Sequence, residues 1–151
     1  MAYSSAEGRQ EILDALGEAI EALATALAVL GVAYEEVDER SGDQLEEELF
    51  GPVQKAYGRA RKTYTGFAQR MAMEADDPEA AMGGGHEGGR ASIDHAVTEL
   101  ARADAVLSEL QDGMLPVEVG DRELREGLSG VRELIAPLPV RARELIRTLG
   151  R

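Results

Sequence analysis

Cysteine and tryptophan are both absent from this 151-residue chain. Without thiols there are no disulfides, no thiolate zinc sites and no cysteine nucleophile. Aromatic residues make up only 4% of the chain, so any core is built from aliphatic side chains and alanine. Such a core suits helices packed on helices better than a sheet, which draws on β-branched and aromatic residues. Histidine occurs only at His86 and His95, and no Glu-x-x-His is present. The di-iron signature of ferritin-like bundles is therefore missing. Positive charge is scarce too. Sixteen Lys and Arg stand against 29 Asp and Glu, a net charge of −13, which excludes nucleic acid as a general partner. The opening residues MAYSSAEGRQEI lack the basic and apolar regions of a signal peptide, and the expected location is cytoplasmic.

What the chain has in abundance is apolar spacing of three and four. Leu13, Leu16, Ile20, Leu23, Leu27, Leu30, Tyr34 and Val37 form one such seam. Phe50, Val53, Tyr57, Ala60, Tyr64, Phe67 and Met71 form a second, and Ile93 to Met114 a third. A fourth runs from Leu124 through Leu128, Val131, Ile135 and Leu138 to Leu149. These seams predict an all-α fold in one domain, an antiparallel up-and-down four-helix bundle with helices near 6–40, 43–75, 91–112 and 118–149.

Local signals place the turns. Gly42 reads as a helix end, followed by Asp43 with Glu46 as a capping box. Ser92 is the expected cap of the third helix, Gly113 its end, and Asp121 the cap of the fourth. The LPVEV stretch beginning at Leu115 is the one segment that resembles a strand. Pro52 in the second helix, and Pro137 and Pro139 in the fourth, each remove a backbone donor and predict kinks or short breaks. Residues 1–50 hold 13 acidic and 2 basic residues, while the second and fourth helices are rich in Arg and Lys. Alternation of sign around the bundle would make the first helix a neighbour of the second and fourth.

The stretch MGGGHEGGR, Met82 to Arg90, lacks the lysine and the preceding strand of a phosphate loop. His86 and Glu87 supply too few ligands for a metal. Residues 76–90 read instead as a flexible glycine-rich linker. His95, beside Asp94 and four residues before Glu99, falls off the third seam and reads as a rim residue. Arg143, Arg147 and Arg151 make a one-sided basic stripe.

Glu35 to Glu39, EEVDE, resembles the Glu-Glu-x-x-Glu motif of the all-α nucleoside triphosphate pyrophosphohydrolases, and Glu74 to Asp77, EADD, resembles that family's Glu-x-x-Asp. The resemblance implies a magnesium site on Glu35, Glu36 and Glu39 and a metal-dependent nucleotide hydrolase. Antiparallel helices would hold the two motifs about 45 Å apart within one chain, at roughly 1.5 Å per residue.

Between Ala19 and Tyr34 only Glu21 and Thr25 are polar. The run is too short, and too closely bounded by acids, for an expected membrane span. Thr25, Ala28, Val29 and Val32 nevertheless fall away from the first seam. The reading that follows is a non-enzymatic interaction module, with no cofactor, that forms a homodimer or takes a helical protein partner through this face.

Overall fold

A computed structural model describes residues 4–75 and 89–149. Among these, α1 (Ser5–Glu36), α2 (Glu39–Leu45), a π-helical turn (Glu46–Phe50) and α3 (Gly51–Arg70) come first. They are followed by α4 (Gly89–Asp112), α5 (Leu115–Glu118), α6 (Arg122–Ile135) and α7 (Leu138–Leu149). The described residues contain no strand, and LPVEV forms the helical turn α5 rather than extended chain. The all-α class is thus as the composition requires. One continuous apolar cluster draws on α1, α2, α3, α4, α6 and α7, with Leu115 of α5 against its edge. Phe67 is its one fully buried aromatic, and alanine and leucine do most of the filling.

The first turn lies earlier than Gly42. Ser4 caps α1 by accepting the Glu7 N–H at 3.1 Å, and α1 stops at Glu36. Asp38 then caps α2, accepting the Ser41 N–H at 2.7 Å. That hydrogen bond holds the Asp38 carboxyl below its ordinary range. Gly42 sits inside α2, buried against the Tyr34 ring. Its small size serves packing there, so the expected turn at Gly42–Asp43 is corrected by five residues.

Pro52 is accommodated without a break. It has no N–H for the Glu48 carbonyl one turn back. The chain widens just before it, so that the Gly51 N–H reaches the Glu46 carbonyl, and the helical dihedrals continue from α2 into α3. Arg141 donates to the Glu48 carbonyl at 3.3 Å, and its Nε lies 3.5 Å from the Glu48 carboxylate. Pro137 has a different effect: α6 ends at Ile135, and α7 begins afresh at Leu138. The second helix also ends earlier than expected, at Arg70. Ala72 adopts a left-handed φ of 53°, with its N–H on Gln69 and the Met73 N–H on Ala68. This closure usually takes glycine.

The main neighbours differ from those that charge alternation suggested. α1 packs against α3 and most extensively against α4, while α6 packs against α3 and α4. α1 and α4 are antiparallel: Arg102 reaches Glu18 at 3.9 Å, and Gly89 lies beside Val37. Both helices are acidic, so sign did not choose this pairing. Ala19, Ala22, Ala26 and Ala33 on α1, and Ala96 and Ala103 on α4, are buried and let the backbones approach closely. An exposed charge pair contributes only ~0–1 kcal/mol, whereas burying one large aliphatic side chain contributes about 1.5–3 kcal/mol. Apolar fit wins.

This order has a consequence for the chain between α3 and α4. Arg70, at the end of α3, pairs with Asp121 at the start of α6, but Gly89 starts α4 beside the end of α1. The end of α3 and the start of α4 therefore lie at opposite ends of the molecule, about 30 Å apart, the length of α3. The linker expected at 76–90 falls outside the described residues except for Gly89 and Arg90, which open α4.

Two contacts fasten α6 to α3. A Cβ on Gly127 would overlap the Thr63 side chain. Asp121 accepts from Arg70 at 2.6 Å and from the Leu124 N–H at 2.8 Å, acting as ion-pair partner and helix cap together. Gly127→Ala is expected to destabilise the fold by about 1–3 kcal/mol in urea unfolding despite alanine's better helix propensity. Gly58→Ala, in open space on α3, is expected to stabilise it by about 0.5–1 kcal/mol. The Arg70 hydrogen bond holds the Asp121 carboxyl below its ordinary range. A depressed folded-state value contributes stability above the unfolded pKa of about 3.9, lost as pH falls through the folded value. The stability gap between wild type and Asp121→Ala, measured from pH 7 down to 3, is expected to be widest near neutrality and to narrow below about pH 4.

Candidate interaction face

α1 is buried on both flanks, by α3 on one side and α4 on the other. Ile12, Leu16, Ala19, Leu23, Ala26, Val29, Leu30 and Ala33 all lie inside. Much of what stays open follows one line at spacings of three and four. Its first half is acidic, with Glu7, Glu11, Asp14, Glu18 and Glu21 exposed. Its second half is neutral, where Thr25, Ala28 and Val32 are half-buried, and Glu35 closes it. The Thr25 hydroxyl donates back to the Glu21 carbonyl at 3.0 Å, so its one side-chain donor is used within α1.

Val29 does not belong to this face. It is only 1% exposed and sits in the core. The heptad reading assumed one buried seam, whereas two flanking helices widen the buried arc and turn it toward Ala22, Ala26, Val29 and Ala33. The same rotation leaves Tyr34, a seam residue, 45% exposed and Leu27 half-buried.

Along the edge shared with α3 the scarce aromatics gather. Gly17 lies 3.9 Å from the Tyr64 ring by its missing Cβ, and Gly31, Tyr34 and Phe50 line a shallow groove with Glu35 and Glu46. Midway, Tyr57 is half-buried with the Arg61 guanidinium 5.6 Å from its ring centre, a cation–π distance. Four of the chain's six Tyr and Phe residues thus follow one seam. Between Gly51 and Arg70, α3 carries five basic residues and no acidic one. Arg61 is half-buried beside this seam at Tyr57, and Lys62 is exposed on α3. The aromatic alignment was implicit in the second seam, yet only the α1–α3 register reveals it as a surface feature.

The other sequence candidates do not converge. Glu35, Glu36 and Glu39 are exposed around the α1–α2 turn, and among the described residues no three His, Asp or Glu side chains are placed to hold a metal ion. Glu74 follows the far end of α3, while Asp76 and Asp77 lie outside the described residues. His95 is half-buried, with Nε2 3.9 Å from Glu99, and His86 lies outside the described residues. Arg143 and Arg147 are exposed on α7, and Arg151 is again outside. Ser92 is buried within the first turns of α4 rather than capping it.

Two further surfaces had no sequence signal. A groove of about 790 Å³ between α4 and the α6–α7 break is lined by Leu100, Asp104, Asp112, Ile135 and Pro139. Met114 and Val117 protrude from α5 at 62% and 66% exposure. By length and mean hydropathy α1 is also long and apolar enough to cross a membrane, although half of its most apolar window is buried within the chain's own core. Against known protein families, curated proteins and solved structures, the chain matches none.

Proposed function

We propose that this all-α protein is a non-enzymatic interaction module, a four-helix bundle that self-associates through the open face of α1. The carrying observation is the change of chemistry halfway along that face, where exposed acids give way to Thr25, Ala28 and Val32. A solvent-facing helix line is ordinarily charged throughout. Here the uncharged half adjoins half-exposed aromatic surface at Tyr34, Phe50 and Tyr57, and aromatic side chains are enriched where proteins meet. The partner on this reading is a second copy or another helical protein, with no cofactor, in the cytoplasm. The metal-dependent hydrolase reading has less support, because Glu35, Glu36 and Glu39 stand near one end of α3 and Glu74 follows the other.

Sedimentation at micromolar concentration is expected to give a dimer for the wild type. Ala28→Glu with Val32→Glu is expected to weaken association at least tenfold, about 1.4 kcal/mol, with unchanged helical circular dichroism. Both sites are half-buried at the surface, so the pair separates loss of association from loss of fold. A wild-type monomer across that range would refute the reading.

A further inference from the structure

On the reading that the chain self-associates through α1, we propose that the surface received by α1 is α3 of a second copy, acidic line against basic line. α1 and α3 lie side by side and antiparallel; the exposed charge of α1 is mostly acidic, and all the charge on α3 is basic. Two copies can meet across this face in two ways. A two-fold axis perpendicular to the helices and centred on Ala28 places α1 on α1 and sets Glu21 against Glu35 at both edges. An axis parallel to the helices and between them places α1 on α3 twice over, as a self-complementary contact requires. Like charges facing each other across an interface cost several kcal/mol. The second arrangement brings Glu21 to basic α3 and confines like charges to Glu35 and Glu46 at one edge, so charge favours it.

The register within one chain then fixes who meets whom. Gly17 lies level with Tyr64, and Gly31 with Phe50. With the axis parallel to the helices, each α1 residue meets the α3 residue that shares its level. Glu21, with Glu18 beside it at 3.9 Å from Arg102 of its own chain, comes opposite Arg61 and Lys62 of the partner copy. Thr25 and Ala28 come opposite Gln54 and Gly58, where a Cβ on Gly58 would meet nothing within its own chain. Val32 comes opposite Phe50. Beyond Val32 the acids of Glu35 and Glu46 face one another and bound the contact. Small residues thus sit where backbones come closest, flanked by opposite charge on one side and aromatic surface on the other.

Charge exchange tests this pairing. Glu18→Lys with Glu21→Lys, and separately Arg61→Glu with Lys62→Glu, are each expected to weaken self-association at least tenfold. Mixing the two variants is expected to restore a one-to-one complex of dimer size, because both halves of the contact then pair opposite signs again. Lys62→Glu alone, at an exposed position, keeps the test open should the Arg61 change disturb Tyr57 and impair folding. The wild-type dissociation constant is expected to rise between 50 and 500 mM salt, roughly as charge screening demands. A wild-type dimer that both charge variants retain overturns this pairing while leaving self-association intact. A wild-type monomer overturns self-association and the pairing with it.

Discussion

The arrangement depends on burying α1 from two sides. Its 32 residues include only one basic and seven acidic side chains, and its apolar arc is too wide for a single neighbour to cover. α3 takes one flank with aromatic and aliphatic residues, and α4 takes the other with alanines that allow close backbone approach. Once α4 has been drawn to α1, α6 and α7 complete the core from behind. The end of α3 and the start of α4 then lie at opposite ends of the molecule. Packing against α1 thereby sets the path of the chain, and charge follows. The acids of α1 and α4 are left on the outside, relieved locally by contacts such as Arg102 with Glu99 and Glu18.

Prolines and polar caps are fitted around that core. Pro52 would leave the Glu48 carbonyl without its helical donor, and Arg141 from α7 supplies one. A single side chain thus offsets the proline and ties the last helix to the second. Asp121 plays a comparable double part at the other end, starting α6 while holding the end of α3 through Arg70. These polar links are partly solvent-exposed and individually modest. They position helices that apolar burial has already gathered.

Helical class, the α6 cap at Asp121 and the end of α4 before Gly113 could be read from spacing and capping chemistry, because both are local. The turn at Val37–Asp38 was hidden by Gly42–Asp43, a stronger local turn signal that the fold uses for packing instead. The end of α3 was hidden because alanine, not glycine or asparagine, takes the left-handed position at Ala72. Neighbour order was hidden for a deeper reason. Surface charge is visible in a sequence but weak, whereas the fit of Ala22 and Ala26 against α4 is decisive and shows only as composition. Off-seam spacing was enough to leave Thr25, Ala28 and Val32 partly open on α1. Val29 was misplaced because a one-seam helix wheel has no means of showing a second flank.

The pairing of α1 with α4 can be tested with the chain's own lack of cysteine. Val37 and Gly89 meet where α1 ends and α4 begins, with a Cβ at Gly89 standing 3.3 Å from a Val37 methyl. In a sequential up-and-down order the same two residues would lie about a helix length apart, far beyond the ~4.4–6.8 Å between Cα atoms that a disulfide bridges. Val37→Cys with Gly89→Cys, oxidised and analysed by intact mass and thiol titration, is predicted to form an intramolecular disulfide in a monomer-mass chain with native helicity. Thiols that stay free, or that bridge only between chains, would contradict the account.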